Sequence, residues 1–148
     1  MIKKILFCAS FSLMIIQSAW ADNNHQLEAR VKEKLGTKVL TEKEVYAGAD
    51  QTNLLYAHCI GETAAKLKTM YPDIKQQIVI QTVNEACEYP EDRYGIYSIL
   101  LASTIAMKKP LSERQAAVYL EKEYEKIGRD QANAEQREAI YKKLGIMK

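Results

Sequence analysis

Apolar residues recur at helical spacing through most of this chain, and turn-forming residues separate the apolar segments. From Asp50 to Met70 they fall on one face of a helix. Pro72 and Asp73 mark a turn, because proline is accommodated in a helix only within its first turn. The segment from Ile74 to Cys87 then resumes the helical pattern. These two segments predict an antiparallel helical hairpin.

Three more helices are predicted after this hairpin. A break at Tyr89-Pro90 precedes the segment Asp92–Lys108, which has little polar surface and should form the central, most buried helix. Ser112 begins a capping-box pattern for a fourth helix. A last helix with a thin apolar stripe should follow Gly128. The predicted fold is therefore all-α, a small bundle of four to five main helices.

The first 21 residues have the pattern of a secretory signal peptide. Lys3 and Lys4 form a basic start, residues 5–16 carry no charge, and Ala19-Trp20-Ala21 offers the small residues that a signal peptidase requires. A membrane anchor is the alternative, but the apolar run is well short of the roughly 20 residues of a spanning helix. We therefore expect Sec-type export, cleavage after Ala21, and a mature protein in the periplasm.

The segment between the signal peptide and the bundle is predicted to be an arm of short helices. Thr41 and Glu44 match a capping box, which should begin a helix. Gly48 follows within two turns and should end that helix early. The predicted organisation is thus a signal peptide at residues 1–21, an arm at 22–50 and a bundle domain at 51–148.

Removal of the signal peptide leaves a mature chain without net charge. The full chain has 21 basic and 19 acidic residues, and the leader holds two of the lysines and no acid. A neutral chain does not generate the positive field that attracts nucleic acid or anionic lipid. We therefore expect neither nucleic-acid binding nor membrane association of the mature protein.

Cys59 and Cys87 are the two cysteines that remain in the mature chain. They are equidistant from residue 73, so they lie at the same height in the predicted hairpin and on the faces that must meet. Such a pair should form a structural disulfide in an oxidising compartment. A catalytic redox pair is the alternative, but it usually has the Cys-x-x-Cys spacing at a helix start.

The sequence contains no recognisable catalytic or cofactor-binding motif. It lacks a glycine-rich phosphate loop, a Gly-x-Ser-x-Gly elbow and a His-Glu-x-x-His motif. His58 and Glu62 are four residues apart, so we expect them to pair on a helix surface. As metal ligands they would be too few for a site. We therefore predict a protein without catalytic residues, cofactor or metal.

Tyrosine and acidic residues around Pro90 are the best candidates for a partner-binding surface. Tyr89 and Tyr94 flank an acidic group that includes Glu91 and Asp92. Tyrosine is favoured at protein interfaces. The mature chain has no Phe or Trp, however, so its tyrosines must also supply all aromatic packing in the core. The alternative interpretation is structural, with the acids complementing the dipole of the following helix.

These observations favour a protein that acts by binding another protein. The leading hypothesis is an inhibitor or immunity protein that blocks an exported toxin or cell-wall hydrolase, such as a type VI secretion amidase. A chaperone or assembly factor of an envelope or secretion complex is the alternative, and it predicts exposed apolar surface, for instance on the last helix. An unrecognised enzyme or metal carrier is a further alternative, and the oligomeric state is left open.

Overall fold

Five α-helices make up most of the computed structural model, which describes residues 34–147. The predicted signal peptide and residues 22–33 of the predicted arm lie outside the described residues. The described part contains no β-strand, so the all-α prediction is confirmed. The helices are α1 (Glu42–Met70), α2 (Gln76–Ala86), α3 (Glu88–Leu101), α4 (Glu113–Ile127) and α5 (Arg129–Lys143).

Helix α1 begins at the predicted capping box but does not end at Gly48. The Thr41 side chain accepts the Glu44 N–H, and the Glu44 carboxylate accepts the Thr41 N–H at 2.8 Å. The helix then continues for 29 residues, through the predicted boundary at residue 50. The expectation of a brief helix was wrong because Gly48 lies against another helix: a Cβ atom there would be 2.0 Å from the Tyr97 ring.

The chain before α1 is also attached to the bundle. Leu35 is buried, and the Leu40 N–H donates to the carbonyl of Leu111 at 3.1 Å. An isolated antiparallel bridge joins Val39 to Ser112. The described part of the predicted arm therefore packs as part of the domain.

Helices α1 and α2 form the predicted hairpin, and the Cys59–Cys87 disulfide is present. The two Cα atoms are 5.9 Å apart, and Cys87 is buried. The disulfide prediction is confirmed. One apolar core cluster surrounds the hairpin and draws on α5 and the chain after it. Its buried members are Tyr56, Ile60, Ala64, Val79, Val83, Cys87, Tyr141 and Ile146.

Helix α3 begins earlier than the sequence predicts. Cys87 both ends α2 and precedes the first residue of α3, so Pro90 lies inside the first turn of the helix rather than in a separate break. Proline is accommodated there because the first-turn N–H groups have no partner within the helix. The helix packs against α1 and α4, and it continues through a π-helical turn at Ala102–Ala106.

Helices α4 and α5 follow the predicted order. Ser112 and Gln115 form the expected capping box for α4. Gly128 takes a positive φ of 81° between the two helices, a conformation that glycine adopts without a steric penalty. None of the helices in the described part combines the length and hydrophobicity needed to cross a membrane.

Candidate functional site

The four residues predicted to contact a partner do not form one exposed surface. Glu91 and Asp92 are only 2% and 5% exposed. Tyr94 is half-buried, and its ring centroid lies 5.7 Å from that of Tyr56. Tyr89 is exposed. The prediction of an exposed acidic turn was therefore wrong, because the two acids point into the bundle, where they meet basic partners.

Glu91 receives donors from two other helices. Its Oε1 atom accepts hydrogen bonds from the Tyr56 hydroxyl at 2.7 Å and from Arg137 Nε at 2.9 Å. Its Oε2 atom accepts one from Arg129 Nε at 3.1 Å. Burial, with the nearby Glu91 charge, raises the pKa of Tyr56 above its ordinary value. This carboxylate thus joins α1, α3 and α5.

Asp92 has a second set of partners on α4 and α5. Its Oδ1 atom accepts from the Tyr124 hydroxyl at 3.1 Å and pairs with Arg129 Nη2 at 2.9 Å. The same Arg129 nitrogen donates to the Glu88 carbonyl at 2.7 Å, and Asn133 Nδ2 donates to the Tyr124 hydroxyl at 2.8 Å. Burial raises the pKa of Asp92 to about 7, against the opposing charge of Arg129.

We call Glu91, Asp92, Arg129 and Arg137 the ionic cluster. All four carboxylate oxygens in it have donors within 3.4 Å. The acid side chains are 3% and 7% exposed, so a substrate has little access to them. A perturbed carboxyl pKa is often a sign of catalysis, but structural ion pairs perturb pKa values in the same way. The cluster is best explained as the attachment of α5 to the start of α3.

An open groove lies beside the start of α3, on the side where Tyr89 is exposed. Its volume is about 360 Å³. One wall comes from α1 and the other from the first three turns of α3. We call it the α1–α3 groove, and it is lined by Gly48, Gln51, Thr52, Leu55, Tyr89, Pro90, Arg93 and Tyr97.

Hydrogen bonds and close packing fix the Tyr97 side of the groove. The Tyr97 hydroxyl donates to Glu113 Oε1 at 2.7 Å, and Arg93 Nη2 contacts the same oxygen at 2.9 Å. The Arg93 guanidinium also lies over the Tyr97 ring, 5.5 Å from its centroid. Gly36 N–H donates to the other oxygen of Glu113 at 2.9 Å. Because of these contacts and the adjacent Gly48, this part of the groove is pre-formed.

The charges at this end of the groove are paired. Burial acts to raise the pKa of Glu113, but the hydrogen bonds from Gly36, Tyr97 and Arg93 outweigh it and lower the pKa. Burial and the bond to Glu113 raise the pKa of Tyr97 to about 12. At neutral pH the groove therefore presents a neutral phenol beside a charged Arg93–Glu113 pair.

The rim of the groove is apolar and exposed. Leu55 is 54% exposed and Tyr89 is 46% exposed. Pro90 adds a rigid apolar surface between the Tyr89 and Arg93 positions. The groove can therefore accept an apolar side chain at its mouth and a polar group near Arg93. The sequence pattern pointed to Tyr89 but not to Leu55, because Leu55 lies outside the apolar face of its helix and nothing in the local pattern places it beside α3.

His58 and Glu62 pair on the surface of α1, as predicted. His58 Nε2 lies 3.6 Å from Glu62 Oε2, and both side chains are exposed. Within residues 34–147, no three His, Cys, Asp or Glu side chains are close enough together to hold a metal ion.

Comparison with protein-family models, with curated proteins and with solved structures finds no match to this chain.

Proposed function

We propose that this protein is an exported, non-enzymatic binding domain that inhibits an exported toxin or cell-wall hydrolase. A periplasmic location, with the mature chain beginning after Ala21, is part of this proposal. The α1–α3 groove would receive a segment of the partner, and the bundle around it would block access to the partner's active site. The observation that carries the proposal is the pre-formed groove with an exposed apolar rim.

The composition of the groove suits protein recognition. Tyrosine and arginine are enriched among the residues that supply most of the binding energy in protein interfaces, and the groove contains Tyr89, Tyr97 and Arg93. Tyr97 and Arg93 are held by Glu113 before any partner arrives. A surface that is already ordered loses less conformational entropy on binding than a flexible one.

The expected partner shares the compartment of this protein. The signal-peptide pattern of residues 1–21 and the Cys59–Cys87 bond both favour export. The neutral mature chain favours a protein partner over nucleic acid. The chaperone alternative predicts exposed apolar surface, for instance on the last helix, and Leu144 directly after α5 is 41% exposed. The affinity purification therefore has to distinguish a chaperone from an inhibitor.

Affinity purification from the cells that produce this protein tests the proposal. The tagged protein is crosslinked before lysis, purified, and its partners are identified by mass spectrometry. We expect one stoichiometric exported enzyme, whose activity falls when the purified protein is added. Recovery of many substoichiometric envelope proteins would instead support a chaperone, and an active partner that is not inhibited would contradict the inhibitor proposal.

A further inference from the structure

The turn of the α1–α2 hairpin exposes a group of apolar side chains that the groove does not use. Met70 is 62% exposed, Tyr71 is 59% exposed and Ile78 is 50% exposed. Together with Pro72 and Ile74 they line one shallow depression. We call residues 66–78 the hairpin tip. The three exposed side chains do not belong to the core cluster. Met70 was predicted to lie on the apolar face of its helix, but its side chain is exposed.

The hairpin tip is also locally basic. Lys66, Lys68 and Lys75 are exposed within the tip, whereas Asp73 is its one acidic residue and lines the depression. Lys66 has a weak pairing with Glu62 at 3.8 Å. Membrane binding through the tip would therefore depart from the expectation that the neutral mature chain does not associate with membranes, because a net charge is an average over the whole surface.

The start of α2 adds to the attraction for anions at this end. Helix α2 begins at Gln76 without a side-chain cap and without an acidic residue in its first turn. The first N–H groups of a helix have no intrahelical acceptor and carry a partial positive charge. Phosphate groups bind favourably to such helix ends.

We propose that the hairpin tip binds the surface of an anionic lipid bilayer. Met70 and Ile78 would enter the outer part of the acyl region, and Tyr71 would lie at the headgroup level, where tyrosine is enriched. Lys68 and Lys75 would contact lipid phosphates while their apolar stems lie along the tip. This surface is separate from the α1–α3 groove, so the inference does not depend on the proposed function.

The arrangement favours a bilayer over a protein as the occupant. The exposed apolar side chains lie at the turn of a disulfide-linked hairpin, and three exposed lysines lie in the same stretch, residues 66–78. A lipid surface accepts this combination without specific shape complementarity, because the binding depends on inserted apolar area and on anionic charge. It would hold the protein at the membrane and leave the groove available to a partner.

Vesicle co-sedimentation tests this inference with the purified protein. One set of vesicles contains equal parts of phosphatidylcholine and phosphatidylglycerol, and the other contains phosphatidylcholine alone. We expect binding to the anionic vesicles that weakens as salt is added. Each lysine near an anionic surface accounts for roughly a five-fold difference in binding. The double variant Lys68→Gln/Lys75→Gln should therefore bind these vesicles about 25-fold more weakly.

Tyr71→Ser tests the inserted apolar part, and Tyr119→Ser is its matched control. Tyr119 is 55% exposed, which is close to the exposure of Tyr71, but it lies on α4. All variants have the same N-terminal residues, so those residues do not contribute to differences in vesicle binding between variants. We expect Tyr71→Ser to reduce vesicle binding and Tyr119→Ser to leave it unchanged, with both keeping the helical circular dichroism of the wild type.

Three results would overturn the inference. The first is no binding to either vesicle, and the second is equal binding to both. The third is equal loss of binding in the Tyr71 and Tyr119 variants. If the tip variants lose a protein partner in the affinity purification while vesicles are not bound, the tip is a protein interface instead. The groove proposal would survive each of these results, because it is tested by inhibition and by groove variants.

Discussion

Replacing Glu91 with glutamine should destabilise the protein strongly, because this carboxylate is the centre of the ionic cluster. The side chain is 3% exposed and accepts from Tyr56, Arg137 and Arg129 at 2.7, 2.9 and 3.1 Å. Glutamine keeps the size of the side chain and removes its charge. The change therefore isolates the electrostatic part of these contacts.

The size of the effect depends on which carboxylate partner each arginine keeps after the substitution. Arg129 keeps Asp92 at 2.9 Å. Arg137 keeps Asp130 at 3.3 Å, but that aspartate is 91% exposed and screened by water. Removing one partner of a buried ion pair costs about 3 to 5 kcal/mol. Since one arginine stays paired, we expect a loss of about 3 kcal/mol, a large part of the stability of a small domain.

Urea unfolding at pH 8, where most Asp92 side chains are ionised, measures this loss by far-ultraviolet circular dichroism. Glu62→Gln is the matched control, because Glu62 pairs with His58 and Lys66 on the surface and is 53% exposed. Its substitution should change the free energy of unfolding by less than about 1 kcal/mol. Equal effects of the two substitutions would refute the reasoning, because they would mean that the buried cluster contributes no more than a surface pair.

Three further predictions concern stability. The double variant Cys59→Ala/Cys87→Ala should lose about 3.5 kcal/mol in urea unfolding, since the bond closes a loop with a sequence separation of 28; a loss below about 1 kcal/mol would contradict this. Gly48→Ala should destabilise the protein by about 1 to 3 kcal/mol, because a Cβ atom there overlaps an aromatic ring. Gly61→Ala is the control, and it should be neutral or stabilising because its Cβ would meet its nearest neighbour at 3.9 Å; thermal melts that rank the two in the opposite order would contradict the packing described. Because burial raises the pKa of Asp92 to about 7, the folded state binds more protons than the unfolded state at neutral pH. The free energy of unfolding of the wild type should therefore rise by about 1.4 kcal/mol from pH 8 to pH 6. The Asp92→Asn variant should not show this rise. An unchanged free energy in the wild type would contradict this titration.

The hairpin and its disulfide were predictable because their signals are local. Pro72 and Asp73 mark the turn, and the positions of Cys59 and Cys87 relative to that turn determine which residues meet. The capping boxes at Thr41 and Ser112 were predictable for the same reason, since each involves residues three positions apart.

The burial of Glu91 and Asp92 was not predictable from the residues next to them in the sequence. Beside a proline at the start of a helix, acidic residues are ordinarily solvent-exposed and complement the helix dipole. Here their partners Arg129 and Arg137 are 37 to 46 residues away in sequence. Nothing in the local pattern distinguishes an acid with such a partner from a solvated one.

The groove was only partly predictable, because it depends on contact between helices that are distant in sequence. Tyr89 was selected for its residue type and its place beside Pro90. Leu55 and Gly48 lie on another helix, and they line the groove because α1 packs against α3. A glycine inside a helix lowers the helix propensity, but it also allows a ring to approach the backbone closely. Only the tertiary contact decides between these outcomes.

The most direct test of the groove proposal compares two adjacent leucines on α1. Leu55 lines the groove, whereas Leu54, which is 70% exposed, does not belong to its lining. Leu55→Asp and Leu54→Asp introduce the same charge on the same exposed helix. In parallel crosslinked purifications, we predict that the Leu54 variant recovers the exported partner and that the Leu55 variant loses it. Equal recovery with both variants would contradict binding through the groove.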